Sequence, residues 1–252
     1  MNYPKRIIKE GEADAKIVIA IQKKLIDLNI GNLEGSGVFG PKTKSAVKLY
    51  QATHQDLLGN PLTIDGQVGS ITWQALFGAD TVPQVNEVSN LLLNEALNIA
   101  RTQVGVMEDP PGSNRGKQVD AYDRAAGVEP GPDIYWCAAF VYWCFNEAAK
   151  QLNKKNPLYK TAGCMAHWNN TTGKKISKID ATNNPSLLKP GTIFILDFGH
   201  GKGHTGIVES IEGGFINTIE GNSNNDGSRN GIGVFRNKRK INSVSKGFIE
   251  YR

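Results

Sequence analysis

The chain has 252 residues, of which 39% are hydrophobic and 21% are charged, a composition typical of a folded globular protein. This length allows one large domain or two smaller ones, each with its own core. Apolar residues recur along the whole chain, which excludes a disordered polymer, and no apolar stretch approaches the ~20 residues of a membrane-spanning helix. The net charge of +5 favours polyanionic partners such as nucleic acid, acidic lipids or an anionic cell wall.

Residues 7–78 are predicted to form a small all-α unit. A stripe of apolar residues at helical spacing predicts a first helix over 14–29, and Pro41 suits the first turn of a second helix. A five-position pattern then recurs 29 residues later: Gly37, Gly40, Thr43, Ala46 and Val47 return as Gly66, Gly69, Thr72, Ala75 and Leu76. Such a repeat indicates an internally duplicated helical module.

Residues 79–88 lack periodicity and are interpreted as a linker, and residues 89–252 are predicted to form a second domain. Helices come first in this domain: Ser89 is expected to cap a helix over 90–103, a short helix is expected around 118–126, and a strong one runs from Cys137 to about Leu152. Short β-rich runs follow at 192–196, 205–209 and 215–219. Helices followed by strands predict an α+β domain with an antiparallel sheet.

Cys137 is the candidate nucleophile among three cysteines, an odd number that leaves at least one thiol free. It lies where a loop turns into a helix, so its thiol would face unpaired backbone N–H groups and the positive end of the helix dipole. Both favour the thiolate, and the same N–H groups can receive an oxyanion. Cys144 is interpreted as a buried apolar residue and Cys164 as structural.

A nucleophilic cysteine needs a base, and the chain has four histidines: His54, His167, His200 and His204. Only His204 leads directly into a predicted strand, which would hold its ring rigidly, so we predict that it is the base. Glu220, at the end of the next strand, can accept the second ring N–H, and Asn222 follows on the same face. The His200–His204 spacing would also suit zinc, but C-x-x-C and H-E-x-x-H motifs are absent, so no metal site is predicted.

The N-terminal unit resembles the peptidoglycan-binding domain of bacterial wall hydrolases, a three-helix module. The motifs that carry this resemblance are Ile21-Gln-Lys-Lys-Leu25, Gly37-Val-Phe-Gly-Pro-Lys-Thr43, Ile64-Asp-Gly-Gln-Val-Gly69 and Thr72-Trp-Gln-Ala-Leu76. Ser36 stands where the family usually has an aspartate. The resemblance implies affinity for the bacterial wall, and a helical spacer that binds nothing is the alternative.

The C-terminal unit resembles the CHAP family of cysteine- and histidine-dependent amidohydrolases and peptidases, which have a papain-like fold related to NlpC/P60. The motifs are Trp136-Cys-Ala-Ala-Phe-Val141, Lys189-Pro-Gly-Thr-Ile-Phe-Ile195, Gly203-His-Thr-Gly-Ile-Val208 and Thr218-Ile-Glu-Gly-Asn222. The resemblance implies that Cys137 is the nucleophile, His204 the base and Glu220 the orienting acid, with Asn222 in support. Tyr135 and Trp136, which precede the nucleophile, are expected to line the substrate site. The calcium loop of some family members is not reproduced. Four aspartates lie upstream of Cys137 without its alternating spacing, so calcium is left unassigned and no cofactor is expected: Asp109, Asp120, Asp123 and Asp133.

The expected function is a peptidoglycan hydrolase, either an N-acetylmuramoyl-L-alanine amidase or an endopeptidase. The alternative is a catalytically inactive adaptor that binds the wall. The basic run at 235–240 is most often a solvated strand end, so only weak, nonspecific nucleic-acid binding is expected. No Sec signal is visible at the N-terminus, so the chain is expected to be made in the cytoplasm and to act at the wall or in the periplasm. A holin or a secretion machine would deliver it, as for a phage lysin or an antibacterial effector.

Overall fold

The computed structural model describes residues 1–88, 90–224 and 231–251. It divides into two compact units, one formed by 1–84 with 182–185 and 212–214, and the other by 85–181, 186–211 and 215–252. The stretch predicted as a linker carries a 3-10 turn, Ala79–Thr81, and a two-residue strand, β1 (Gln84–Val85). None of the helices described is long and apolar enough to cross a membrane.

The first unit contains three α-helices: α1 (Ala15–Asp27), α2 (Pro41–Thr53) and α3 (Ser70–Phe77). The carboxylate of Asp14 accepts hydrogen bonds from the first-turn backbone N–H groups of Lys16 and Ile17, so α1 begins one residue later than predicted. Pro41 is the first residue of α2, as its position predicted. The three helices enclose a core centred on the wholly buried Trp73.

The 29-residue repeat has a physical basis that the sequence pattern did not reveal. The buried amide of Gln22 donates to the hydroxyl of Thr43 at 2.8 Å and to the carbonyl of Val38 at 3.0 Å, and it accepts from the N–H of Gly37 at 2.9 Å. Gly37 has a φ of 77°, which favours glycine. One buried glutamine therefore joins the glycine turn to the helix that follows it.

Gln51, 29 residues further on, makes the same contacts in the second copy. Its amide donates to the hydroxyl of Thr72 at 3.3 Å and to the carbonyl of Gln67 at 2.8 Å, and it accepts from the N–H of Gly66 at 2.8 Å. Gly66 has a φ of 74°, close to that of its counterpart. The two halves of the module are therefore repeated in their hydrogen bonding as well as in their sequence.

After residue 84, the described part of the chain contains five α-helices: α4 (Leu91–Gln103), α5 (Lys117–Ala126), α6 (Cys137–Gln151), α7 (Cys164–Asn170) and α8 (Lys178–Asn183). The first three were predicted and the last two were not. Asn90 caps α4 by accepting from the N–H of Leu93 at 2.9 Å, so the cap is not the predicted Ser89, which lies outside the described residues. Helices α4 and α5 both pack against α6.

The strands that follow β1 in the described part of the chain are β2 (Lys174–Ile176), β3 (Ile193–Gly199), β4 (Lys202–Glu212), β5 (Phe215–Ser223), β6 (Gly233–Lys240) and β7 (Gly247–Glu250). They form a sheet in the order β2-β7-β3-β4-β5-β6. The pairs β2/β7, β7/β3, β3/β4 and β5/β6 are antiparallel. Two domains, one all-α and one α+β with an antiparallel sheet, confirm the predicted fold class.

A glycine lets α6 lie directly on the sheet. A Cβ atom on Gly221 of β5 would come within 2.6 Å of the Cβ of Phe140 and within 2.7 Å of the Trp136 ring. No real Cβ atom tolerates such contacts, so the close approach of α6 to β5 requires glycine at this position. The approach brings the first turn of α6 against the strand segment that carries Glu220.

Candidate active site

Cys137 is the first residue of α6, at the position that the sequence predicted. Its side chain is buried at one wall of a pocket of about 210 Å³, which Tyr135, Cys164 and Gly203 also line. Its place in the first turn of a 15-residue helix puts the sulfur near backbone N–H groups and the positive end of the helix dipole.

The two residues before Cys137 have different surroundings. Tyr135 is 45% exposed and lines the pocket. Trp136 is 0% exposed, its Nε1 donates to the carboxylate of Glu108 at 2.9 Å, and its ring stacks on Tyr122 at 5.7 Å between centroids. The prediction that Trp136 lines the substrate site is therefore wrong, because the packing of α5 on α6 draws this ring into the core.

His204 and Glu220 are hydrogen bonded inside the sheet, between neighbouring strands β4 and β5. The Nε2 atom of His204 lies 2.8 Å from the Oε2 atom of Glu220, and both side chains are buried. An ionised carboxylate can only accept, so Nε2 must carry the hydrogen and donate it. Only Nδ1 of His204 is left to exchange a proton, and among the described residues no hydrogen-bond partner of good geometry occupies it.

Gly206 makes room for this pair. It lies two residues after His204 on β4, and a Cβ atom there would stand 2.8 Å from the Cγ of Glu220. Any side chain at this position would push the carboxylate away from the imidazole. The glycine in the motif Gly203-His-Thr-Gly-Ile-Val208 therefore has a steric role that the sequence did not indicate.

Arg239 is a site residue that sequence reasoning missed. Its Nε and terminal nitrogen donate to the two carboxylate oxygens of Glu220, each at 2.6 Å, and its guanidinium lies 5.3 Å from the centroid of the Phe194 ring. The hydroxyl of Thr218 also donates to Glu220, at 2.5 Å. Glu220 is thus held between the imidazole and a bidentate arginine.

These contacts determine the charges of the pair. Burial, the largest single influence, raises the pKa of Glu220, but the hydrogen bonds and charges of Arg239 and His204 outweigh it and lower the pKa to about 2. Burial likewise lowers the pKa of His204, but polar contacts with Cys137 and Glu220 raise it to about 9. The site therefore holds an ionised carboxylate and a protonated imidazole at neutral pH.

Cys137 lies against a second thiol. Its Sγ atom is 3.5 Å from that of Cys164, the first residue of α7, and both side chains are buried. The hydrogen bond with Cys164 lowers the pKa of Cys137 well below its ordinary value; burial opposes this, and the contact with His204 and its charge adds to it. Cys144 is wholly buried in the core, as predicted, and burial raises its pKa.

Asn222 is not joined to the histidine and glutamate by a hydrogen bond in the described part of the chain. Its side-chain Nδ2 donates to the side chain of Asn114 at 3.4 Å. Its side-chain oxygen, Oδ1, is buried without a partner among the described residues. Asn222 has a φ of 51°, and the register of β5 with β6 shifts between Glu220 and Ser223. The regular alternation from which the sequence placed it beside Glu220 therefore does not hold here.

The other histidines have separate environments. The Nε2 atom of His167 is 2.7 Å from the hydroxyl of Tyr251, His54 stacks on Tyr50 in the first unit, and His200 is exposed in a turn. The described residues contain no group of three or more His, Cys, Asp or Glu side chains arranged to hold a metal ion.

The basic run at 235–240 is largely committed to contacts within the protein. Arg239 binds Glu220, and Arg236 donates to the carboxylate of Glu209 at 2.8 Å. The Nζ of Lys238 lies 5.5 Å from the centroid of the Phe215 ring. These three side chains of the run therefore make contacts within the protein.

Comparison with known families gives two matches. A model of the CHAP domain matches residues 129–222, and a model of a peptidoglycan binding domain matches residues 14–76. Searches of curated proteins and of solved structures found no match. The CHAP match spans Cys137, His204 and Glu220 and ends at Asn222, whereas Arg239 lies beyond it.

Proposed function

Because this chain joins a peptidoglycan-binding domain to a CHAP domain, the makeup of a peptidoglycan hydrolase, we propose that it cleaves an amide bond of the bacterial wall with Cys137 as the nucleophile. The observation that carries the proposal is that three buried side chains interact in sequence: Cys137 with His204, and His204 with Glu220. A nucleophile, a base with one exchangeable nitrogen and a carboxylate that orients it are the parts that amide hydrolysis needs.

In the acylation step, the thiolate of Cys137 attacks the amide carbonyl carbon and forms a carbon–sulfur bond. The oxyanion that develops would be received by backbone N–H groups in the first turn of α6. His204 gives its Nδ1 proton to the leaving nitrogen, the carbon–nitrogen bond breaks, and a neutral amine departs. Cys137 is left as a thioester and His204 as a neutral imidazole.

In the deacylation step, water replaces the amine. Nδ1 of His204 takes a proton from the water as its oxygen attacks the thioester carbonyl. The carbon–sulfur bond breaks, a carboxylic acid leaves, and the thiolate–imidazolium pair is restored. Glu220 accepts a hydrogen bond from Nε2–H throughout and keeps Nδ1 directed at the reacting atoms.

Two kinds of amide bond in the wall suit this chemistry: the bond that joins muramic acid to L-alanine, and the peptide bonds within the stem or cross-bridge peptides. Mass spectrometry of muropeptides released from purified sacculi separates them. A new amino group on L-alanine identifies an amidase, and a new terminus elsewhere in the peptide identifies an endopeptidase. Sacculi that release neither product would contradict the proposal.

Activity should fall above pH 9. The pKa of His204 is raised to about 9, so its imidazolium loses the proton that the leaving amine needs as the pH passes this value. We expect kcat/KM on sacculi to be steady around neutral pH and to decline along an alkaline limb with an apparent pKa near 9. Turnover that stays constant from pH 8 to pH 10.5 would remove His204 from the role of proton donor.

We propose further that the chain reaches its substrate by release or injection, as a phage lysin or an antibacterial effector, because the bacterial wall lies outside the cytoplasmic membrane. Expression in the bacterial cytoplasm should then be tolerated, whereas fusion to a secretion signal should cause lysis. A Cys137→Ala chain exported in the same way is the control and should leave cells intact. Killing by the unexported chain in cells with a sealed membrane would point to a cytoplasmic substrate.

A further inference from the structure

A second sulfur lies against the proposed nucleophile. The Sγ atoms of Cys137 and Cys164 are 3.5 Å apart, within hydrogen-bond distance for sulfur, and the two cysteines are not joined in a disulfide. The two residues begin different helices, α6 and α7, and form a small buried cluster with Ala138. The contact therefore joins the starts of two helices whose first residues are 27 positions apart in the sequence.

The surroundings of the two sulfurs decide which one donates. Cys137 interacts with the positively charged ring of His204, which favours the thiolate. For Cys164, the contact with Cys137 and burial both raise the pKa of its thiol, so this sulfur keeps its proton. These surroundings favour Cys164 as the donor and the sulfur of Cys137 as the acceptor.

Gly203 allows the start of α7 to pack closely on the sheet, because it has no side chain. A Cβ atom on Gly203 would lie 3.1 Å from the Cβ of Cys164, so the start of α7 packs closely on β4 just before His204. The base and the second thiol are thus placed by neighbouring positions on one strand. Cys164 and Gly203 line the same pocket as Cys137.

We infer that Cys164 is a positioning residue of this site: its S–H donates to the Sγ of Cys137 and holds the nucleophile as a thiolate at the pocket wall. It takes no part in bond making, and it acts only through Cys137. The inference rests on the proposed role of Cys137 as the nucleophile. It assigns a purpose to the thiol that the sequence suggested was merely structural.

The test is the pH dependence with which iodoacetamide modifies Cys137, measured without substrate on the full chain. Mass spectrometry of the Cys137 peptide keeps the other thiols out of the reading, and a phosphine reductant keeps all three thiols reduced. In Cys164→Ala the midpoint of the pH–rate profile should rise by about one unit, the size expected when a thiolate loses one charge-assisted hydrogen bond. In Cys164→Ser, whose hydroxyl can still donate, the midpoint should stay near that of the unmodified chain.

Cys144→Ala is the matched control, because it removes a buried thiol from the same helix without touching the Cys137 sulfur. Its midpoint should not move. Should Cys164→Ala fail to fold, Cys164→Val fills the space of the sulfur without a donor and should show the same rise. A packing role alone would slow alkylation equally at every pH and leave the midpoint unchanged, and that result, or a serine variant shifted as far as alanine, overturns the inference.

Activity separates this inference from the proposed function. In Cys164→Ala the acidic limb of kcat/KM on sacculi should move upward with the alkylation midpoint, whereas Cys164→Ser should restore it. Hydrolysis by Cys137→Ala would overturn the proposed function whatever the alkylation profiles show. An inactive Cys137→Ala together with an unshifted Cys164→Ala overturns only the role of Cys164.

Discussion

Replacing Cys137 by alanine should lower the release of muropeptides from purified sacculi by about 10³-fold or more. The substitution removes the sulfur that forms the covalent intermediate in the proposed mechanism, and the remaining groups cannot activate water to the same extent. The measurement is the initial rate of muropeptide release, followed by chromatography and mass spectrometry. Iodoacetamide should produce the same loss in the unmodified chain, because it caps the same sulfur.

Two controls accompany this substitution. Cys144→Ala removes a thiol from the same helix and should retain nearly full activity, because this sulfur lies in the core. Binding of the Cys137→Ala chain to sacculi in a sedimentation assay should be unchanged, because the peptidoglycan-binding domain occupies residues 14–76. Undiminished hydrolysis by Cys137→Ala would refute the cysteine mechanism, and a wild-type chain that binds sacculi but releases nothing would establish the inactive-adaptor alternative.

Replacing Glu220 by glutamine should lower kcat by about 10²–10⁴-fold, with a smaller change in KM. An amide can donate as well as accept, so it no longer forces the hydrogen of His204 onto Nε2, and Nδ1 loses its defined role. The substitution also takes away the negative charge that stabilises the imidazolium. Steady-state kinetics on soluble muropeptide substrates would measure both constants.

Glu209→Gln is the matched control for Glu220→Gln. Glu209 lies on β4, the strand of His204, and its carboxylate is bound by two arginines, Arg101 at 2.9 Å and Arg236 at 2.8 Å. Glu209→Gln weakens these arginine contacts, but Glu209 does not bind His204. The substitution should therefore leave kcat close to that of the unmodified chain. Equal losses in the two variants would mean that Glu220 acts only by stabilising the fold.

Glu220→Gln should also change how the stability of the fold depends on pH in acid. The pKa of Glu220 is lowered from 4.5 to about 2 in the folded chain, so the ionised form stabilises the fold above pH 4.5 and this contribution is lost as the pH falls towards 2. Between these values, the free energy of unfolding should fall less steeply with decreasing pH in Glu220→Gln than in the unmodified chain. Urea unfolding at a series of pH values provides the comparison.

Local signals in the sequence account for much of the fold. The position of Cys137 at a helix start followed from a loop that turns into an apolar periodic run, and Pro41 marked the start of α2. The side chains of His204 and Glu220 were predicted to meet because each lies on one of two consecutive strands, and the structure hydrogen bonds them. In each of these cases, the information lies within a few residues of the element concerned.

The remaining site residues depend on contacts between distant segments. Arg239 reaches Glu220 because β6 pairs with β5 in one particular register, and no pattern within the basic run distinguishes it from its neighbours. Cys164 reaches Cys137 through the packing of α7, a helix too short to leave a clear periodic signal. Trp136 was expected at the site because it precedes the nucleophile, but tertiary packing buries its ring. Asn222 was placed by strand alternation, which the shifted register of β5 overrides.

Arg239 makes the total charge of the buried site zero. Cys137, His204, Glu220 and Arg239 alternate in sign, from thiolate to guanidinium, and sum to zero. When the proposed acylation turns the thiolate into a neutral thioester, the imidazolium gives up its proton, and the sum is still zero. Glu220 then remains charged in the interior with the bidentate guanidinium of Arg239 as its counterion. The reaction can therefore pass through its thioester stage without leaving an uncompensated ion in the low-dielectric core.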